Sequence, residues 1–260
     1  MAWPRPCESG TSTGLVGWWK FDETSGTTAA DGSTVFGKNT KNGTLNNFAL
    51  SGSTSNWVTG KRTGALNFDG TNDYVDVANN SDLDNLSAIT VTAWIKPTTF
   101  GGSSKGRIVD KGSGTGCSDG NECWTFSLNN NDATNALEFY VFYRTVALTA
   151  RSATNTITTG VWQHVAVVWD GSTSSANVKF YINGALVSTQ TVSDGSGSRD
   201  SGTGCHVLIG DRPATTCLGG ADGTRQFNGN IDDVRIYNRA LSAAEVRRLY
   251  IGNDVMGSGF

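Results

Sequence analysis

No stretch of this 260-residue chain carries the roughly 18 consecutive apolar residues that a membrane-spanning helix requires, so nothing in it is expected to insert into a bilayer. A surplus of basic residues is missing too. Lys and Arg number 20 against 23 Asp and Glu, and a net charge of −3 excludes a surface basic enough for nucleic acid phosphates or anionic lipid. The start Met1-Ala-Trp-Pro4 lacks the apolar core of a signal peptide, so a secreted form is expected to have had its leader or anchor removed. Glutamate is scarce: only 5 of the 23 acidic residues are Glu and 18 are Asp, which prefers turns and short loops to helices. The five cysteines, Cys7, Cys117, Cys123, Cys205 and Cys217, lack the tight C-x-x-C pairs of a zinc site. Only two histidines are present. His164 sits in mid-strand and is expected to be a hydrogen-bonded core residue; His206 has no second histidine near it, and neither is assigned chemistry.

What the chain does have is glycine, 33 in all, with eight Trp, eleven Phe and six Tyr spread along its length. Many turns between aromatic-rich segments make an all-β composition rather than a disordered one. Alternating apolar segments run at 16–21, 65–68, 74–77, 89–95, 107–110, 124–128, 137–143, 161–169, 178–182, 185–191 and 231–237, eleven strands for one domain. Segments 89–95 and 161–169 carry apolar groups on both faces, including Trp94, Trp162 and Trp169, and are expected inside a sandwich. Asn183-Gly184 between two strands is the signal of a two-residue type I′ hairpin. Ser242 with Glu245 three residues later forms a capping box for one helix, which carries Val246, Leu249 and Tyr250 on one face and stops near Gly252. Residues 1–12 are expected to be a linker or an expression remnant, 13–252 the folded domain and 253–260 a tail.

Cys117 and Cys123 flank Ser-Asp-Gly-Asn-Glu, and Cys205 and Cys217 flank a loop with Gly210-Asp-Arg-Pro213, so each pair is placed to close one loop as a disulfide. Other pairings of the four stay open; these are the local ones. Cys7 is left over, as a free thiol or a bridge to another chain. Such bridges put the protein outside the cytosol, whereas the alternative makes these cysteines small buried hydrophobes.

Gly14-Leu-Val-Gly-Trp-Trp-Lys-Phe-Asp-Glu23 and Gly229-Asn-Ile-Asp-Asp-Val-Arg-Ile-Tyr-Asn-Arg-Ala-Leu-Ser242 each read as a strand that breaks into acidic turn chemistry, and together they predict a sheet closed by its own terminal strands. They resemble the opening and closing signatures of laminin-G-like jelly-roll domains, members of the concanavalin A-like lectin and glucanase group. Gly64-Ala-Leu-Asn-Phe-Asp-Gly-Thr-Asn-Asp-Tyr-Val-Asp-Val77 and Ile89-Thr-Val-Thr-Ala-Trp-Ile-Lys-Pro97 resemble the second and third signatures. Trp162-Gln-His-Val-Ala-Val-Val-Trp-Asp-Gly171 followed by Lys179-Phe-Tyr-Ile-Asn-Gly184 is the most specific part, and it stands in the right order. The resemblance implies an all-β, two-sheet antiparallel jelly-roll β-sandwich, common as a binding module of larger secreted or surface proteins. It also implies calcium near the junction of the first and last strands, held by Asp22, Asp31, Asn42 and Asp232, since calcium takes six to eight hard oxygens. The alternative is that these residues cap turns without a metal. Asp233 is expected on the opposite face from Asp232, paired with Arg235 or Arg239.

A saccharide site needs an aromatic ring for the apolar face of a pyranose, flanked by polar groups for the hydroxyls; the candidates are Trp124, Tyr140, Phe142, Arg144 and Trp57. Alternation puts Glu138, Tyr140, Phe142 and Arg144 on one face and Phe139, Val141 and Tyr143 on the other, and leaves open which faces the core. The paired carboxylates that glycoside hydrolases of this fold place on one strand are absent, as is a Gly-x-Ser-x-Gly elbow, so no enzymatic activity is expected. The expected function is that of a non-catalytic extracellular carbohydrate- or glycan-binding module, stabilised by calcium. The alternative is a structural or adhesion domain of a cell-surface or appendage protein that makes protein–protein contacts.

Overall fold

The computed structural model describes residues 11–33, 40–51, 56–112, 124–199, 203–213, 220–221 and 223–252. Within them the alternating apolar segments pair into two antiparallel sheets. The first runs β14 (Ala185–Val187), β13 (Lys179–Ile182), β12 (Gln163–Trp169), β7 (Ile89–Pro97), β17 (Asn228–Tyr237), β5 (Gly64–Asp69) and β4 (Trp57–Thr59). β1 (Leu15–Trp19) also joins it, on β17. The second runs β15 (Thr189–Ser193), β11 (Leu148–Ser152), β10 (Ala136–Val141), β9 (Trp124–Asn129), β8 (Arg107–Lys111), β16 (Val207–Ile209), β6 (Tyr74–Val77), β3 (Gly43–Asn46) and β2 (Thr28–Ala29). The fold is the expected β-sandwich, and among the described residues one short α-helix, α1 (Ala243–Ile251), follows the last strand.

One apolar cluster fills the space between the sheets, drawing Val91, Val167 and Ile236 from the first and Val75, Phe126 and Phe139 from the second. Each stands on the inward position of its strand, so burial of the apolar set fixes the register: a slip by one residue would turn every such side chain outward. β7 and β12 are neighbours in the first sheet and are buried on both faces, as their composition predicts. Their outer face is covered by α1, whose Val246 and Leu249 pack with Ala166, Val168, Tyr181 and Tyr237. The helix begins where expected: Ser242 Oγ accepts the Glu245 amide at 3.3 Å, and Glu245 Oε2 accepts the Ser242 amide at 2.8 Å. Asn183 and Gly184 both adopt positive φ, 51° and 73°, as a type I′ hairpin requires.

The expected closure of the sheet by its own ends is present, and its detail positions a cavity. β17 lies along β7 on one side; on the other it pairs with β5 over its first residues and with β1 over its last. Between these two partners its register shifts, from Asp232 opposite Trp94 to Arg235 opposite Thr92, a β-bulge with Asp233 at φ 51°.

Two expectations change. Segment 185–191 is not one strand: β14 stays in the first sheet, and β15 crosses to the second and pairs with β11. The strands β2, β3, β4, β11 and β16, two to five residues long, have no counterpart among the expected segments. Cys7, Cys117, Cys123 and Cys217 lie outside the described residues, and so do the two expected bridges. Cys205 is buried, and its carbonyl accepts Lys111 Nζ at 3.1 Å.

Candidate functional site

Phe139, Val141 and Tyr143 belong to the core, so β10 presents Glu138 and Tyr140 on the outer face of the second sheet. Strand pairing extends these into rows of directly opposed residues. Arg107, Ser127, Glu138 and Arg151 stand side by side across β8, β9, β10 and β11. Asp110, Thr125, Tyr140 and Thr149 form the next row across the same strands. A bulge in β8 makes this possible. Arg107 and Asp110 are three positions apart and would face opposite ways in a regular strand, yet Ile108 and Val109 both turn into the core and leave the charged pair outside together. The floor of the face is polar and buried: Asp110 and Ser127 are 0% exposed.

The two carboxylates at the centre of this face have partners that explain their burial. Glu138 accepts from Lys105 Nζ at 2.7 Å, Arg151 Nε at 2.8 Å and Asn129 Nδ2 at 2.6 Å. Burial alone would raise its pKa, but Lys105 and Arg151 hold it below the usual carboxylate value. Asp110 is ion-paired with Arg107 Nε at 2.9 Å and accepts Thr125 Oγ1 at 2.9 Å. Asp211, on the turn that follows β16, is pushed up to about 6 by burial and by the charge of Asp110. Arg212 and Arg225 border the same face, each with a pKa drawn down by burial and by the like charge of Arg107. Tyr140, half-buried between these groups, has its phenol pKa raised by burial, with Arg107 opposing.

At the junction of the terminal strands, a cavity of about 200 Å³ is lined by Trp18, Lys20, Asp22, Arg62, Asp232, Asp233, Arg235 and Gly252. It opens where β5 leaves off beside β17 and β1 begins. The chain leaving β1 accepts the Gly64 amide on Asp22 Oδ1 at 2.9 Å, and the β4–β5 turn donates the Lys61 and Arg62 amides to Asp232 Oδ2, both at 2.8 Å. Gly60 is required in that turn, because a Cβ there would collide with the Gly64 carbonyl and stand 2.7 Å from Asp232 Oδ2. Asp232 Oδ1 is buried and accepts no hydrogen bond from the described residues. Burial, together with the charges of Asp233 and Asp22, pushes the Asp232 pKa up to about 7. Asp233 pairs with Arg235, as expected, but lines the same cavity as Asp232 and accepts Trp18 Nε1; the bulge turns both aspartates outward.

Asp31 and Asn42 are bound to each other instead. Asn42 Oδ1 accepts the Asp31 amide at 3.0 Å, and the Asp31 carboxylate accepts the amides of Trp18, Ser33 and Lys41 at 3.1, 2.8 and 3.1 Å. Lys41 Nζ stands 3.6 Å from Asp31 Oδ2, so that carboxylate already has a cation. Of the four oxygen donors expected around calcium, Asp22 and Asp232 share a cavity with an unpartnered oxygen and fit one; Asp31 and Asn42 do not line it. Among the described residues no three acidic, histidine or cysteine side chains converge as a metal site, so a cation there would draw its remaining ligands from main-chain oxygens and water.

Residues 69–247 match a laminin-G-type model described as the concanavalin A-like lectin/glucanases superfamily. The chain belongs to this superfamily. Among curated proteins it is similar to the adhesion G-protein coupled receptor V1 of Danio rerio, 25% identical over 168 residues that make up 64% of this chain and 2% of the receptor. Among solved structures it is similar to the binding domain of Paraclostridial Mosquitocidal Protein 1, with a TM-score of 0.62 at 17% identity, covering 94% of this chain and 53% of that one. Domain 4 of the arabinanase AbnA from Geobacillus stearothermophilus, solved with arabinotriose, gives a TM-score of 0.55 at 22% identity, over 91% of this chain and 98% of that one. At these identities the structural likeness shows the shared fold alone.

Within this superfamily fold the expected stacking residues separate. Tyr140 is on the outer face; Phe142, half-buried, and Arg144, exposed, follow past the end of β10. Trp124 is a correction: it occupies an inward position of β9 and is 1% exposed in the core, so its ring is not offered to a ligand. Trp57 also packs in the core, at the sheet edge, with Nε1 donating to the Gly26 carbonyl at 3.2 Å. His164 is buried as expected, yet its Nδ1 has no hydrogen-bond partner among the described residues. His206 Nδ1 lies 2.7 Å from Asp76 Oδ1. The residues that sequence reasoning missed are Arg107, Asp110, Ser127, Asp211, Arg212 and Arg225. Thr125, Ser127 and Asn129, polar on every second position of β9, were the available signal; Asp211, Arg212 and Arg225 stand on turns with no pattern.

Proposed function

We propose that the chain is a non-catalytic, extracellular carbohydrate-binding module of a larger secreted or surface protein. The observation that carries this reading is the outer face of the second sheet. There Tyr140 stands among fixed polar side chains on four adjacent strands, while the inward positions of those strands are apolar. A pyranose needs that combination, a ring for its C–H face and preset donors and acceptors for its hydroxyls. The arabinanase domain of the same fold, solved with arabinotriose, supports the reading. Glu138 supports the non-catalytic part: with both carboxylate oxygens bound to Lys105, Arg151 and Asn129, it is poorly placed to give a proton to a leaving group.

Calcium enters the reading at Asp22 and Asp232, where it would tie the first strand to the last and neutralise the buried carboxylate. The test of the saccharide site is a glycan-array screen with affinities measured by titration calorimetry. Tyr140→Ala is expected to weaken binding by about tenfold or more at an unchanged melting temperature. Equal binding by the variant, or no binding to any saccharide, would overturn the reading. The alternative of an adhesion domain that contacts protein is favoured by the similarity to the adhesion receptor, and an array without hits would move the weight to it.

A further inference from the structure

Among the described residues the part of the second sheet's outer face around Arg107 holds more positive than negative groups, and one of its arginines has no carboxylate bound to it. Lys105, Arg107, Arg151, Arg212 and Arg225 face Asp110, Glu138 and Asp211. Glu138 is shared between Lys105 and Arg151, and Asp110 is held by Arg107. Among the described residues Arg225 has no carboxylate of its own: its guanidinium donates Nη1 to the Ser103 carbonyl at 3.4 Å, and its Nε is buried without a partner. Its backbone is fixed, since the Arg225 carbonyl accepts the Arg107 amide at 2.9 Å and so seats it beside Arg107. A half-buried guanidinium next to a second one, with a donor desolvated and unused, is an unfavourable arrangement until an anion shares it. Ser127 stands directly opposite Arg107, and its buried hydroxyl has no partner among the described residues, which adds a second unused polar group to the same place.

Resting on the carbohydrate reading, we propose that this face selects saccharides that carry a carboxylate, a hexuronic or nonulosonic acid residue, with Arg225 as the group that takes the carboxylate beside Arg107 and with Tyr140 under the sugar ring. A guanidinium presents paired N–H groups in the geometry of a carboxylate, and it stays charged at any physiological pH. The same fork also pairs the oxygens of phosphate and sulfate esters, so a sulfated saccharide that binds tighter than the acids would overturn the carboxylate assignment.

The test uses matched pairs: tri-galacturonic acid against its methyl ester, and sialyllactose against lactose, titrated into the whole chain and its variants. The acid of at least one pair is expected to bind about tenfold tighter than its neutral partner. Arg225→Gln should remove that difference, leave the weak affinity for the neutral partner unchanged and keep the wild-type melting temperature. Arg225→Lys, which keeps the charge but not the fork, should retain part of it. Neutral saccharides that bind as well as their acids, through a Tyr140-dependent site, would overturn the carboxylate preference and leave the carbohydrate reading standing. So would an Arg225→Gln variant that weakens both members of a pair alike. No binding by any acid or neutral saccharide would overturn both.

Discussion

His164 shows what a single buried side chain costs. Burial between β7 and β13, against the edge of Trp94 at 5.4 Å, takes its pKa from 6.5 down to about 3, with Asp233 opposing the shift and Arg235 and Arg62 adding to it. The folded protein keeps the imidazole neutral, while the unfolded chain takes up a proton once the pH drops below 6.5. Stability is therefore expected to fall as the pH falls through the range from about 6.5 to 5, by up to about 1.4 kcal/mol for each pH unit. Urea unfolding across that range should show the slope, and His164→Gln should flatten it; equal slopes for the two proteins would disprove the assignment. Sequence position gave the burial of this histidine correctly, because every second residue around it is apolar. It could not give the unpartnered Nδ1, which depends on what α1 and β7 bring alongside. Trp124 went the other way for the same reason: its strand was legible, but which of two alternating sets faces the core is decided only when a second sheet covers one of them.

At the scale of elements, α1 is the clearest case of local chemistry predicting structure. Its start, cap and stop were all visible in Ser242, Glu245 and Gly252, and Gly252 ends it in the left-handed conformation at φ 78°. Arg239 adds a bidentate pair to Glu245, with Nη2 at 2.6 Å from Oε1 and Nη1 at 3.1 Å from Oε2. Ser242→Ala is expected to cost about 1 kcal/mol, measurable as a lower unfolding midpoint. It acts by loosening the helix that covers Tyr237 and Val168, and an unchanged midpoint would mean that packing alone holds the helix in place. The two bulges behave differently. In β8 and in β17 an extra residue puts charges on one face that strict alternation would separate, Arg107 with Asp110 and Asp232 with Asp233. Nothing in either segment announces a bulge, since it answers to the pairing partner rather than to the strand's own residues.

For the whole molecule, the joining of first and last strands is the feature with the largest consequence. β1 and β17 meet along most of β1, so the ends of the described fold support each other, and any ligand at Asp22 and Asp232 would act on that closure. A protein that binds calcium there is expected to unfold several degrees higher with calcium than with excess EDTA, the gain reaching about 2.7 kcal/mol when free calcium exceeds its Kd a hundredfold. Asp232→Asn should abolish the difference while leaving the fold intact. Melting curves that coincide with calcium and with EDTA would remove calcium from the reading and leave these aspartates as turn-capping groups.

The sequence by itself determined the class of fold, the inner strands, the hairpin at Asn183-Gly184, the capped helix and the meeting of the terminal strands. The strands, the hairpin and the helix follow from short-range rules, since alternation, positive φ at Asn-Gly and a capping box are all written within a few residues; the closure was read from two matched end segments and the two-sheet jelly roll from the family resemblance. Tertiary structure alone decided which face of β10 is outside and which aspartates share a cavity. It alone decided, too, that residues 185–191 divide between two sheets and that Arg225 comes to rest beside Arg107. Each of these depends on strands far apart in the chain being paired, and the register of such pairs is set by the packing of the whole core rather than by any local stretch.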